Sequence, residues 1–286
     1  MICKLYLSII YIMDRYKIKN KLGEGTTSIV YNAYDKERKK SVALKVYREG
    51  YESEFKEEVM IVRILGKNNF SKLLLPDEII YNFNVLSFKI NVSLSYYLER
   101  FEMKFKDFVR AFFDLIDSIV HLHSLGIIHR DIKSDNCYWD GENLYLGDFG
   151  SASYQSNNMT SYIVTRWYRA PELLLGEYYN NKIDIYSAAL LCIEMLIGEP
   201  LLKGESELDQ YYKTKQMYIY KNYNYCYSRE YLSNILIKMD LDDKDNLLDL
   251  LTKMLEWDFN KRIPGNEILD NIFFKNTHYL LIRELD

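Results

Sequence analysis

The sequence predicts an α+β protein in two unequal parts, a small β-rich N-terminal part with one helix and a larger, mainly helical C-terminal part. Three observations lead there. From about residue 16 to 46 the segments YKIKNKL, SIVYNAYD and SVALKVY alternate or run apolar, separated by GEGTTS and KERKK. A helical pattern follows, SEFKEEVMIVRIL, with Phe55, Val59, Val62 and Leu65 along one stripe. Past a composition shift near Asn91–Ser95, long amphipathic or apolar helical patterns dominate.

Two more strand-like runs, around KLLLPDEII and FNVLSFKI, complete the first part. In the second, DFVRAFFDLIDSIVHLHSLG reads as an amphipathic helix with Gly126 as its natural stop. KIDIYSAALLCIEMLIG reads as a mostly apolar helix ending at Gly198, and DNLLDLLTKMLEW as another amphipathic one. There is no internal repeat or low-complexity linker.

A chain of 286 residues suffices for one large domain or two lobes with separate cores. Its 48% hydrophobic and 27% charged residues are those of a globular protein. A net charge of −4 offers no nucleic-acid surface. The run Lys36–Lys40 reads as a solvated turn between strands rather than a localisation signal. Cys3, Cys137, Cys192 and Cys226 are scattered without metal-site spacing, as in a reduced intracellular protein. The apolar MICKLYLSIIYIM lacks a small-residue cleavage site and is too short to span a membrane. Residues 1–13 are therefore read as an extension without an assigned role, with Met13 as an alternative start.

Three stretches carry chemistry. In KLGEGTTSIV, Gly23 and Gly25 let backbone N–H groups approach phosphate oxygens, although a Gly-x-Gly turn alone also fits an ordinary hairpin. In VALKV, Lys45 sits among Ala43, Leu44 and Val46, where a charge is costly to bury without an anion. Glu58 is its candidate partner, since only one of Glu57 and Glu58 can turn inward. The stretch IIHRDIKSDNCYW crowds charges between apolar runs, as if aiming them at one point. There Asp131 can accept a proton, Lys133 can neutralise phosphate charge and Asn136 offers a neutral metal oxygen. Asp148, at the turn before Gly150, joins Asn136 as an oxygen donor suited to Mg²⁺.

Gly-x-Gly-x-x-Ser-x-Val, VALK, HRDIKSDN, DFG and APE stand in the order and on the elements of a eukaryotic protein kinase, and from about residue 14 to 275 the chain resembles that family. The resemblance implies a bilobal protein kinase fold, with an N-lobe over about 14–91, a C-lobe over about 92–275 and a tail at 276–286. It implies ATP and Mg²⁺ as cofactors. Leu22, Gly23, Glu24, Gly25, Thr26, Thr27, Ser28, Ile29 and Val30 would cover the nucleotide, Ala43 would line the adenine pocket, and Lys45, anchored by Glu58, would hold the α- and β-phosphates. Asp131 would orient the substrate hydroxyl and accept its proton, Lys133 would touch the γ-phosphate as in Ser/Thr kinases, and Asn136 and Asp148 would bind the metal. Glu172 of APE would pair with Arg262.

The segment TSYIVTRWYRAPELLLG resembles the CMGC group, which holds the mitogen-activated and cyclin-dependent kinases. By that resemblance Thr160 and Tyr162 are regulatory phosphosites and Arg130, Arg166 and Arg169 are phosphate contacts. The substrates would be proteins with Ser/Thr-Pro sites, an upstream kinase would activate the chain, and its location would be cytoplasmic or nuclear. LSYYL and the segment near Phe88 are expected to form the hinge.

Departures matter too. Ser28 replaces the third loop glycine, Ser134-Asp135 replaces Pro-Glu, and Ala189 replaces a glycine. Glu57 and Ser153 stand where cyclin-dependent relatives place two arginines around phosphothreonine, and the helix lacks the PSTAIRE pattern. A cyclin is thus the less favoured partner. The reading is an active Ser/Thr kinase, with a cyclin-dependent type as the alternative inside that class. A pseudokinase scaffold is the rival outside it; its usual mark, loss of the lysine or of either aspartate, is absent.

Overall fold

The computed structural model describes residues 14–68, 70–155, 165–221, 224–227, 229–236 and 243–281. The chain divides into two units, one up to Asn91 and one from Val92.

The first unit is an antiparallel five-stranded sheet in the order β1-β2-β3-β5-β4. Its strands are β1 (Tyr16–Glu24), β2 (Ser28–Asp35), β3 (Lys40–Tyr47), β4 (Glu78–Ile80) and β5 (Val85–Lys89), with helix α1 (Glu52–Gly66) between β3 and β4. The alternation along β3 sorts two cores. Val42 and Leu44 join Tyr16, Ala33, Ile80 and Val85 on one face, while Tyr47 and Leu86 meet Phe55 and Val59 of α1 on the other. The stripe Phe55, Val59, Val62 and Leu65 is buried as its spacing predicts, with Ile61 added. KLLLPDEII yields a strand only from Glu78 onward. Pro76 within it has no N–H to give a ladder.

The second unit opens with α2 (Leu94–Leu98), capped by the Ser93 hydroxyl accepting the Tyr96 N–H. LSYYL, expected at the hinge, is a short helix, because Leu94 and Leu98, one turn apart, bury on one side. Helix α3 (Phe105–Ser124) is followed by Gly126 at φ +72°, as its stop signal predicts. Short strands β6 (Ile127–Ile128), β7 (Cys137–Trp139), β8 (Leu144–Leu146) and β9 (Ser153–Tyr154) pair as β6–β9 and β7–β8. Then come α4 (Pro171–Leu174), α5 (Lys182–Ile197), α6 (Glu207–Gln216), the hairpin β10 (Tyr218–Lys221) and β11 (Asn224–Tyr227), α7 (Arg229–Ile235), α8 (Lys244–Met254), α9 (Gly265–Leu269) and α10 (Ile272–Asn276). Helix α5 is buried from Ile183 to Leu196 and ends at Gly198, φ +84°. Among the described residues no helix is long and apolar enough to cross a membrane.

Each unit carries a buried arginine cluster. In the first, Arg15 donates to Asp35 at 2.8 Å and to both Glu78 oxygens at 2.9 and 2.7 Å, tying the start of β1 to the end of β2 and to β4. The Arg15 hydrogen bond holds the Glu78 carboxyl below its usual range. Burial would raise Asp35, but Arg15 and the turn N–H groups hold it down as well. In the second unit, all five N–H donors of Arg262 are engaged. Two meet Glu172 at 2.7 and 2.9 Å, and three reach the carbonyls of Glu256, Lys182 and Trp257. The guanidinium also lies 5.0 Å over the Tyr186 ring.

Two outcomes follow from these clusters. Carboxyls depressed in the folded state stabilise it above their unfolded pKa, about 4, and that contribution is lost as pH falls through the folded value. Urea denaturation of Arg15→Ala should show a loss of about 3–5 kcal/mol at neutral pH and a flatter decline below pH ~4 than the parent. Glu172→Gln, which strands a fully buried guanidinium, should cost about 3–5 kcal/mol in the same measurement.

Candidate functional site

The predicted site residues fall into two groups, one in each unit. In the first unit β1 reaches Glu24 and β2 starts at Ser28, so Gly25, Thr26 and Thr27 form a tight reversal closed by Gly25 N–H to Ser28 O at 2.9 Å. A Cβ on Gly23 would meet nothing within 4 Å, and one on Gly25 only the Ser28 carbonyl at 3.8 Å. The space over this backbone is open, which fits an anion approaching the N–H groups. Leu22 is half exposed and Glu24 is tied to Lys21 and Arg48. Ser28, in the third glycine's place, is buried and lies opposite Tyr47.

The register pairs Val30 with Lys45, Asn32 with Ala43, Ala43 with Phe88 and Lys45 with Leu86. Directly paired residues share a face, so Val30, Ala43, Lys45 and Phe88 project together and Ile29 projects oppositely. On that face the Lys45 ammonium stands 2.7 Å from Glu58 Oε2, with the two side chains only 9% and 1% exposed. Glu57 points to solvent. The Tyr47 hydroxyl, unforeseen from the sequence, donates to the same Glu58 oxygen.

In the second unit the HRD segment turns on Arg130, at φ +65°. Asp184 of α5 holds that turn by accepting the backbone N–H groups of His129 and Arg130, each at 2.9 Å, and it meets His123 Nε2 at 2.9 Å. Burial alone would push the Asp184 carboxyl up, but the His123 hydrogen bond and the loop donors keep it below its ordinary range. The Asp131 N–H donates to His129 Nδ1 at 3.3 Å, so His129 Nε2–H is the donor to Gly147 O at 3.0 Å.

Asp131 is the centre of this group. Its Oδ1 accepts the Thr165 N–H and hydroxyl at 2.9 and 2.8 Å. Its Oδ2 accepts Asn136 Nδ2 at 3.0 Å and the Lys133 ammonium at 2.9 Å. Lys133 also donates to Thr165 Oγ1 at 2.8 Å. Thr165 was missed from the sequence, where one threonine before Arg166 carries no periodic or charge signal. With its amide nitrogen donating to Asp131, Asn136 keeps its carbonyl oxygen as the atom that could ligate a metal. Gly147 N–H donates to Asn136 O at 2.9 Å, joining this segment to the one carrying Asp148. Asp148 sits at φ +58° with its carboxylate accepting the Gly150 N–H. Among the described residues no cluster of three His, Cys, Asp or Glu could hold a metal. An amide oxygen and a carboxylate instead suit Mg²⁺ bound largely through a substrate's phosphates.

The replacement Ser134 donates to Glu194 of α5 at 2.7 Å, and Tyr168 donates to the other Glu194 oxygen at 2.6 Å. Burial pushes the Glu194 carboxyl up. Arg130 Nε donates to Ser151 O at 2.6 Å. Arg169 and Arg166 both face Glu207 Oε1, at 2.6 and 3.6 Å. Thr160 and Tyr162 lie outside the described residues. Glu172 and Arg262 form the bidentate pair expected of them.

Comparison with known proteins matches the same span. The family model described as protein kinase domain covers residues 16–274. Cyclin-dependent kinase 1 of Encephalitozoon cuniculi is 31% identical, over 94% of this chain and 99% of the relative.

Proposed function

The chain belongs to the protein kinase family as a Ser/Thr kinase of the CMGC group, and from that premise we propose that it transfers the ATP γ-phosphoryl to Ser or Thr hydroxyls that precede proline in protein substrates. One observation carries the catalytic assignment. Asp131 is held from two sides, by Thr165 on one oxygen and by Asn136 and Lys133 on the other, so its carboxylate cannot swing.

ATP would supply the phosphoryl group, and Mg²⁺, when bound, would supply positive charge to its oxygens. Gly23 and Gly25 let backbone N–H groups close on the phosphates, Val30 and Ala43 line the base, and Lys45, aimed by Glu58, meets the α- and β-phosphates. Asn136 and Asp148 would hold Mg²⁺ through oxygen. Asp131 orients the acceptor hydroxyl and takes its proton, while the Lys133 ammonium offsets charge gathering on the transferred group. Most of the rate comes from positioning.

Regulation runs through the activation segment. Arg166 and Arg169 share Glu207, so a phosphate on Tyr162 would compete with that carboxylate for two guanidiniums. A cyclin enters as a partner through the similarity to a cyclin-dependent kinase; co-purification of a cyclin with the expressed chain decides it.

Asp131→Asn should lower kcat on a Ser-Pro peptide about a thousandfold with little change in ATP affinity; turnover equal to the parent's would remove Asp131 from the mechanism. No transfer by the parent, phosphorylated or not, would favour a scaffold instead. Glu207→Gln should increase the activation gained from phosphorylated Tyr162, read by mass spectrometry alongside kcat. An unchanged gain would separate Glu207 from the switch.

A further inference from the structure

The Lys45–Glu58 pair is built from elements that must not slip against each other: Lys45 lies on β3 and Glu58 on α1. A buried ammonium and carboxylate have little net attraction to spare after desolvation, so the helix needs another hold. Tyr47 supplies one. It follows Lys45 by one strand period, so both side chains leave the same face. Its ring packs edge-on against Phe55 of α1 at 5.5 Å and lies under the Lys45 ammonium at 5.3 Å. Its hydroxyl donates to Glu58 Oε2, the oxygen that also receives Lys45. The hold continues outward, with Phe55 edge-on to Tyr81 at 6.1 Å and Arg63 of α1 lying 5.1 Å over the Tyr81 ring. The Tyr47 N–H donates to Asn84 O, fixing the strand end beside that turn.

We propose that Tyr47 is a positioning residue for the Lys45–Glu58 pair, a tether internal to the first unit that keeps Glu58 turned inward without a partner protein seated on α1. It deepens the kinase reading by naming what orients the lysine assigned to the nucleotide. The hydroxyl does the orienting and the ring does the packing, so the two roles separate by substitution. Tyr47→Phe keeps the ring and removes the donor; Tyr47→Ala removes both.

The experiment uses the full chain alone, without nucleotide, and measures the rate at which an amine-reactive reagent modifies Lys45 by peptide mass spectrometry. Hydrogen exchange of the α1 amides, Tm and the KM for ATP are measured in parallel. In the parent, Lys45 should be modified far more slowly than exposed lysines such as Lys56. In Tyr47→Phe it should be modified about tenfold faster, the KM for ATP should rise by a similar factor, and Tm should stay close to the parent's. Equal Lys45 modification and equal KM in parent and Tyr47→Phe overturn the proposal. So does a parent whose Lys45 is modified as fast as Lys56, since the tether is then not holding. If the parent transfers no phosphoryl group, the catalytic reading fails while the modification rates still decide the role of Tyr47.

Discussion

Asp184 is the anchor on which the catalytic loop depends. Arg130 occupies the left-handed region, a conformation that costs a side-chain-bearing residue about 1–2 kcal/mol and persists only when its surroundings hold it. Two backbone N–H groups in succession, those of His129 and Arg130, point at one carboxylate and fix the turn. The residue after that turn is Asp131, whose direction is thereby set before any side chain touches it. The anchor works because α5 is buried along nearly its whole length and has no freedom to yield. A carboxylate with two backbone donors and a histidine is also one of the few ways to bury that charge without neutralising it.

The same helix grips the loop a second time. Glu194 lies about 15 Å further along α5 and receives Ser134 and Tyr168. One rigid rod thus holds the loop on either side of Asp131, and through Tyr168 it also holds the segment that brings in Thr165. Thr165 closes the circuit, since its N–H and hydroxyl meet Asp131 while its oxygen receives Lys133. The first unit solves an analogous problem differently. There the charges needed for chemistry are on a strand and a helix, and side chains on both, with an aromatic run between them, do the holding.

How much of this was legible depended on distance along the chain. The strands, α1 with its inward Glu58, and the helices ending at Gly126 and Gly198 could be read because periodicity and stop signals are local. Lys45, Asp131, Asn136 and Asp148 stood out because charged and amide side chains crowded between apolar runs are rare. LSYYL gave no helical signal because its one-turn spacing of leucines is too short to register, and its cap is a single serine. Arg15 was invisible because its partners lie 20 and 63 residues away. Thr165 and Tyr47 were invisible for a related reason: a lone hydroxyl gains meaning only from the carboxylate that folding brings to it.

Ser134 and Asp135 show why a departure from a family pattern need not weaken a site. A proline before the metal-binding asparagine restricts the backbone but offers no donor. Serine gives up that restriction and gains a hydroxyl that donates at 2.7 Å to Glu194. Glu194 needs such donors, since burial drives its carboxyl up. Asp135 in turn accepts the Ser95 hydroxyl of α2 at 3.0 Å, binding the loop to the start of this unit. Lost chain stiffness is replaced by two hydrogen bonds to elements already fixed by their own packing. The loop is therefore held in place by its neighbours rather than by its own covalent geometry, and Asn136, the next residue, inherits that rigidity.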